Sequence, residues 1–354
     1  MLFKGILVDS VDVVIVGAGP AGCRTAETVV RKGYDVLVLE EHPKIGKPVQ
    51  CTGLVSKKIG EIPKEIIVNK IKRAKFCCGD AYFEIKSKQK MLLLDREKYD
   101  VWLAERAEKA GAKFKLSTRF LGFEDGKILT NKGKIETKIL VGADGPNSSV
   151  AKAVGIKLPK NLLFALQVNV NSRFDSDLVE LWFGNDIAPG SFAWVVPENE
   201  ELARVGLLTE KNPNFYLENF LKKRFGKIET KNKTGDVLRY GMIEKSVSNR
   251  VLLVGDAACQ VKPFSGGGLV YNNISSEIAG KAIIKSLEED NFSEEFLLEN
   301  YEKKWKEKLF WPIMQGLAFK WVFSKISTPT IFSLIKNLSI TNFASLLDVD
   351  FLQK

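Results

Sequence analysis

The chemistry in this chain is carried by a few residues at fixed spacing. Gly17, Gly19 and Gly22, with Pro20 and Ala21 between them, form a Gly-x-Gly-x-x-Gly cluster, and Glu40 follows 23 residues after Gly17 with Glu41 beside it. Gly17 permits a tight turn, Gly19 lacks the Cβ that would hold a pyrophosphate off the backbone, and Gly22 lets a helix close onto a strand. Glu40 is placed to accept ribose hydroxyls, and an acid there argues against a 2′-phosphate on the nucleotide. Alone, this cluster suits a nicotinamide or a flavin dinucleotide. Two more clusters follow: Gly142-Ala143-Asp144-Gly145, and Gly255-Asp256 with Pro263 and Gly266-Gly267-Gly268 downstream. Asp256 can accept from ribityl hydroxyls. The bare backbone of Gly266, Gly267 and Gly268 offers N–H groups to negative charge at N1 of a reduced flavin. In order, the three clusters describe one chain holding one FAD, adenine end first and isoalloxazine ring last.

These residues need rigid supports. Residues 13–16 are a continuous apolar run, as expected for a parallel strand buried on both faces. A helix predicted over residues 20–32 aims its free N–H groups at the phosphates, and Gly33 stops it. Residues 35–39 are a second strand ending in Glu40. Residues 138–141 and 251–254 are strands feeding the second and third clusters. Asp144 can cap the turn after its strand, where Ser148, Ser149 and Val150 begin a helix. Residues 97–111 read as a helix with Val101, Ala104, Ala107 and Ala110 on one face. The expected fold class is α/β, with a Rossmann-type FAD-binding domain assembled from residues 1–60, 92–155 and 246–290. Residues 61–91 and 156–245 read as a substrate subdomain built on an antiparallel sheet, with strands at 164–171, 180–183, 192–196 and 203–208 and a helix at 214–225. Such a sheet can form a lid over the flavin. Residues 291–354 read as a helical C-terminal subdomain broken at Pro312 and Pro329.

With these motifs in place, the chain resembles the geranylgeranyl reductase family, flavoproteins of the same fold group as para-hydroxybenzoate hydroxylase. The resemblance covers residues 12–310 and rests on GAGPAG, KPVQCTGLVS, LDREKYD, GADGPNSSVAK, APGSFAWVVP and GDAACQVKPFSGGG. The family's aromatic-x-Trp-x-Phe-Pro signature is met at Phe192, Trp194 and Pro197, with Val196 where Phe is usual. Lys152 stands where many relatives have Arg, and Cys259 where Gly is more usual. The resemblance implies that Arg96 reaches the flavin phosphates and that Asp256 binds the ribityl–pyrophosphate region. It implies that Phe192, Trp194 and Pro197 line the pocket where an isoprenoid chain meets the ring, and that Cys51 sits close to the active site. Each has a plainer alternative: an exposed cation for Arg96, core packing for Trp194, a small buried hydrophobe for Cys51.

The activity implied is saturation of isoprenoid double bonds, foremost in archaeal membrane lipid precursors, by hydride transfer from reduced FAD. An isolated alkene also needs a proton, and Cys51, Tyr271, a bound water or the flavin could give it. Reduction of a menaquinone tail or of another prenylated small molecule would use the same chemistry. An FAD-dependent aromatic monooxygenase shares the second and third clusters, although the strand at 192–197 and the loop at 261–268 favour the reductase. A protein holding flavin without redox turnover is a third reading.

Composition bounds the rest. At 354 residues the chain can hold a large core and two or three subdomains. His42 is the only histidine, which excludes a His-rich metal site, and its place after Glu41 reads as a loop at the cofactor edge. Residues 1–10 are too short and polar for a signal peptide, and no apolar run reaches the ~20 residues of a membrane span. Five cysteines without metal-ligand spacing read as a reducing, cytoplasmic compartment. The net charge of +10 suits an anionic partner, and no nucleic-acid motif is present. With no second dinucleotide motif, the electron donor is NAD(P)H in transit or an acidic ferredoxin-like carrier. Residues 303–336 carry seven Lys against one acid, interleaved with Trp305, Phe310, Trp311, Phe319, Trp321, Phe323 and Phe332. That pattern fits a helix in contact with the membrane inner face, or aromatics packed on the core.

Overall fold

The computed structural model describes residues 9–124, 126–325, 327, 329, 330, 332 and 333. In chain order the elements are β1 (Asp9–Val16), α1 (Pro20–Val30), β2 (Val36–Leu39), β3 (Leu54–Val55), β4 (Ile67–Cys78), β5 (Ala81–Leu94), α2 (Arg96–Lys109) and β6 (Lys113–Lys115). Next come β7 (Phe120–Glu124), β8 (Lys127–Thr130), β9 (Gly133–Gly142), α3 (Ser149–Ala153), β10 (Leu162–Asn171), β11 (Leu178–Phe183), β12 (Phe192–Pro197) and β13 (Leu202–Thr209). The chain continues with α4 (Pro213–Phe225), β14 (Thr230–Arg239), β15 (Val247–Ser248), β16 (Val251–Leu253), α5 (Leu269–Glu288), α6 (Glu294–Leu297) and α7 (Lys303–Lys325).

Two sheets hold these strands. The first runs β15-β16-β9-β1-β2-β6, with β8 hairpinned onto β9 and β7 onto β8. Its central strands β16, β9, β1, β2 and β6 are parallel. Val13, Val14 and Ile15 are fully buried, which is why their run is apolar without alternation. The second sheet runs β14-β10-β13-β12-β11-β4-β5-β3 and is antiparallel except where β11 lies beside β4. Its two faces carry separate apolar clusters, as the period-2 geometry of strands dictates. One holds Phe192, Trp194 and Val196; the other holds Ala193 and Val195, covered by Leu217 and Phe220 of α4.

Two details depart from the sequence reading. Leu54–Val55 and Leu92 to Leu94 pair in the second sheet, although the reading grouped them with the cofactor-binding segments. Pro312 does not break the C-terminal helix: α7 runs through it. Its missing N–H costs ~3 kcal/mol in an isolated helix. Here Trp305, Leu309, Pro312, Ile313 and Gly316 are buried along one face, and that packing offsets the local cost. Around the break expected at Pro329, residues 329, 330, 332 and 333 are helical, while residues 328, 331 and the helical reading of 334–354 lie outside the described residues.

Candidate cofactor and active site

The three clusters meet at the carboxyl ends of β1, β9 and β16. Backbone bonds extend the ladder past the strands: Ala143 N–H donates to Val16 O at 2.8 Å and Val254 N–H to Gly142 O at 2.9 Å. Gly17 has φ +104°, and a Cβ there would lie 2.3 Å from Ala143 O. A Cβ on Gly22 would lie 2.0 Å from Gly17 O, and one on Gly255 would lie 2.7 Å from the Ala21 Cβ. These glycines lock the clusters together. Gly19 and Gly145 differ, because a Cβ on either would meet nothing within 4 Å. They border open space at the N-terminus of α1, where a pyrophosphate needs bare backbone and free N–H groups. Glu40 reaches across this mouth, its carboxylate accepting from Ala18 N–H at 2.9 Å and His42 N–H at 3.0 Å. His42 Nδ1 lies 2.6 Å from the same carboxylate, so the single histidine braces Glu40. Glu41 is exposed and pairs with Arg119 at 3.3 Å.

Asp144 is occupied as a cap. It accepts from Ser149 N–H at 2.7 Å, Val150 N–H at 3.1 Å and the Ser148 hydroxyl at 2.6 Å, orienting α3 and leaving Gly145 to face the cofactor space. Asp256 follows β16 with Asn272 Nδ2 at 3.5 Å from its carboxylate. Burial and the nearby Asp236 carboxyl push its pKa up to about 6, against the pull of Asn272 and Arg96. A Cβ on Gly268 would lie 2.9 Å from Asp256 Oδ1, which is why that carboxylate needs glycine beside it. Gly266 has φ +73°, a backbone only glycine adopts without strain, and Ser265 Oγ in the same loop is buried without a partner among the described residues. Cys259, standing where glycine is more usual, takes the left-handed conformation at φ +54°.

Arg96 is not the exposed cation of the plainer reading. Its side chain is largely buried and donates to both oxygens of Asp100, at 3.1 and 3.0 Å. Burial works against its charge, but Asp100 and Cys51 outweigh that and raise its pKa. All five cysteines are free; four are buried, and Cys51 alone is partly exposed. Burial raises the pKa of Cys23, Cys77 and Cys259, so these thiols stay neutral and inert. Tyr271 is fully buried in the core of the parallel-sheet domain.

Beside the clusters, one face of the second sheet forms an apolar surface. Phe192, Trp194, Phe183, Phe76 and Phe83 lie on it, and Val261 and Phe264 of the third cluster close over it. Phe264 packs on Phe192 at 5.9 Å between centroids and on Phe323 of α7 at 5.0 Å. Pro197 is a correction to the expected grouping. Strand alternation puts it with Ala193 and Val195 on the opposite face, where its carbonyl accepts from Asn69 Nδ2 at 2.8 Å.

Three polar side chains that carry no motif hold this arrangement. Gln167 Oε1 accepts from Thr52 Oγ1 at 2.7 Å and Trp194 Nε1 at 3.3 Å, joining the Cys51 loop to the aromatic face. Arg204 donates to Thr52 O at 2.6 Å and Leu94 O at 2.9 Å. Arg239 donates to Pro146 O at 2.8 Å and Pro159 O at 2.6 Å, tying the second cluster to β14. None has a sequence signal, because each acts on groups far away in the chain.

Glycine-lined space at a helix N-terminus, an acid across its mouth, a buried arginine and a second glycine loop together fit an FAD-binding flavoprotein. The chain matches the FAD binding domain family over residues 10–275. It belongs, more narrowly, to the digeranylgeranylglycerophospholipid reductase family. It is 34% identical to the digeranylgeranylglycerophospholipid reductase of Methanosarcina acetivorans, over 98% of this chain and 92% of the relative. It is 32% identical to the enzyme of that name from Methanocaldococcus jannaschii, over 93% of this chain and 91% of the relative. A crystal structure of a geranylgeranyl bacteriochlorophyll reductase-like protein from Thermoplasma acidophilum superposes with a TM-score of 0.87 at 26% identity, over 96% of this chain and 95% of that one. The flavin-dependent brominase Bmp2 superposes at TM-score 0.75 with 17% identity over 96% of this chain and 93% of that one, which shows a shared fold.

Proposed function

We propose that this protein uses FAD to saturate the double bonds of geranylgeranyl chains carried on a glycerophospholipid. The observation that carries the reading is the apolar face bearing Phe192 and Trp194, closed by Phe264 of the cofactor loop and by α7. Bound there, FAD supplies hydride chemistry. The chain's own residues do the rest: the Gly17–Gly22 turn and Arg96 hold the phosphates, Glu40 the ribose, and Asp256 the ribityl region. Phe192 and Trp194 seat the prenyl chain and exclude water, so that one double bond at a time lies against the ring position.

The reading extends to a peripheral membrane contact. On the outer face of α7, Trp311 is 68% and Trp321 63% exposed, with Phe310, Met314 and Val322 alongside. Its inner residues Leu317 and Phe323 pack into the apolar cluster around Trp194. Lys304, Lys308 and Lys325 flank the outer stripe and suit anionic headgroups. No described helix is long and apolar enough to cross a membrane. Electrons would come from NAD(P)H or from an acidic ferredoxin-like carrier, which the +10 charge would attract.

The test is an anaerobic half-reaction. The bound flavin is reduced with dithionite, geranylgeranyl phospholipid is added, and flavin absorbance and lipid mass are followed. Reoxidation with two hydrogens gained per step supports the reductase. No anaerobic reoxidation, but rapid oxygen-dependent turnover of an aromatic compound, would replace it with a monooxygenase.

A further inference from the structure

A carboxyl that no motif marks stands on the aromatic face of the second sheet. Asp236 pairs across β14 with Ala165 of β10, and two residues on Leu238 pairs with Leu163. Cross-strand partners share a face. Ala165, Leu163 and Leu238 all belong to the apolar cluster of Phe192 and Trp194, so Asp236 faces the same way. Beside it, Gln50 Nε2 donates to Gly235 O at 3.2 Å, which draws the loop carrying Cys51 across this strand. Asp236 accepts Val237 N–H at 2.7 Å and forms no ion pair among the described residues. The charged groups that act on it from neighbouring elements are Arg96 of α2 and Asp256 after β16, both of the cofactor site.

We propose that Asp236 is the acid that protonates the alkene. This rests on the reductase reading above. One carbon of the double bond accepts the hydride supplied by the reduced cofactor. Its neighbour takes the proton from Asp236: the carboxyl O–H bond breaks as the new C–H bond forms, and the π pair is consumed. The carboxylate left behind is reprotonated by water before the next bond is seated. A carboxylic acid is in general a stronger proton donor than a thiol, and Tyr271 is buried in the other core. Burial raises the Asp236 pKa against Val237 N–H and Arg96, which keeps it protonated closer to neutrality than a surface aspartate.

The test uses the FAD-loaded protein and the variants Asp236→Asn and Asp236→Glu. Asp236→Asn is expected to bind FAD and accept dithionite electrons like the parent, while single-turnover lipid reduction falls ~10²-fold or more. Asp236→Glu restores most of that loss. The parent rate declines as pH rises through the acid's pKa, and the residual Asp236→Asn rate lacks that limb. An independent arm follows the protonated-carboxyl infrared bands across a pH titration in the Asp256→Asn background, where the Asp256 carboxyl is absent: the remaining band is lost on adding Asp236→Asn and persists on adding Cys51→Ala. Parental rate and pH profile in Asp236→Asn overturn the proposal, as does an unchanged infrared band. A parent that never saturates the lipid sinks the reductase reading instead, and the infrared arm still decides whether Asp236 holds a proton there.

Discussion

Gly17 and Gly19 sit two residues apart and answer to different constraints. At Gly17 a Cβ would collide with Ala143 O at 2.3 Å in a left-handed backbone, whereas at Gly19 it would enter open space. Gly17→Ala is therefore expected to destabilise the FAD-free protein by ~2–4 kcal/mol. Gly19→Ala should leave that stability within ~0.5 kcal/mol yet weaken FAD at least ~10-fold, because the added methyl occupies phosphate space. Denaturant melts and FAD titration of both variants check this; equal behaviour in both assays would contradict it. Asp256 gives a pH signature. Its folded pKa of about 6 exceeds the unfolded ~3.9, so between these values the folded state binds more protons. Stability of the FAD-free protein falls as pH rises through that window. Asp256→Asn should be more stable than the parent at neutral pH by on the order of 2 kcal/mol and match it below about pH 4. Melts at the two pH values measure it, and a constant offset would assign the slope elsewhere.

At the scale of elements, α7 does two jobs with two faces. Its inner face meets the cofactor loop directly: a Cβ on Gly316 would lie 2.8 Å from Pro263 Cδ. Lys320, buried on that face, reaches Gly190 O and lies 4.9 Å from the Tyr240 ring. Its outer face leaves Trp311 and Trp321 in solvent. Replacing both with Ser should change stability by under ~0.5 kcal/mol, since exposed side chains contribute little to the fold. Sedimentation with phosphatidylglycerol vesicles should fall ~10-fold or more for the double variant. High salt should weaken the parent's binding, because the flanking lysines act through a screened field. Parental vesicle binding by the variant would remove this face as the contact.

For the molecule as a whole, the cofactor space lies where the two sheets meet. Arg204 and Arg239 span from the second sheet to the loops that carry Cys51 and Gly145. FAD bound across that seam would add its binding energy to global stability. At a thousandfold excess over Kd the gain is ~4 kcal/mol. Stripping FAD should lower Tm by several degrees and expose the 47–56 loop to protease. Calorimetry with and without FAD measures the first; an unchanged Tm would mean that FAD does not bind the folded chain in preference to the unfolded one.

What the sequence determined by itself is local. The strand–turn–helix around Gly17, the parallel strands at residues 13–16, 138–141 and 251–254, and the antiparallel strands from 164 onward all follow from apolar periodicity and glycine placement within a dozen residues. So do the cap at Asp144 and the acid at Glu40. What only the tertiary structure decided depends on contacts between distant segments. Tyr271 and Cys51 are both protic residues near motifs, but packing buries one in the parallel-sheet core and leaves the other partly open. Pro197 leaves the aromatic pocket because a strand turns each successive side chain to the other face. Pro312 stays helical because long-range burial offsets a local cost. Gln167, Arg204, Arg239 and Asp236 reach the site only through sheet register and through hydrogen bonds spanning more than ninety residues, and no local pattern encodes such a distance.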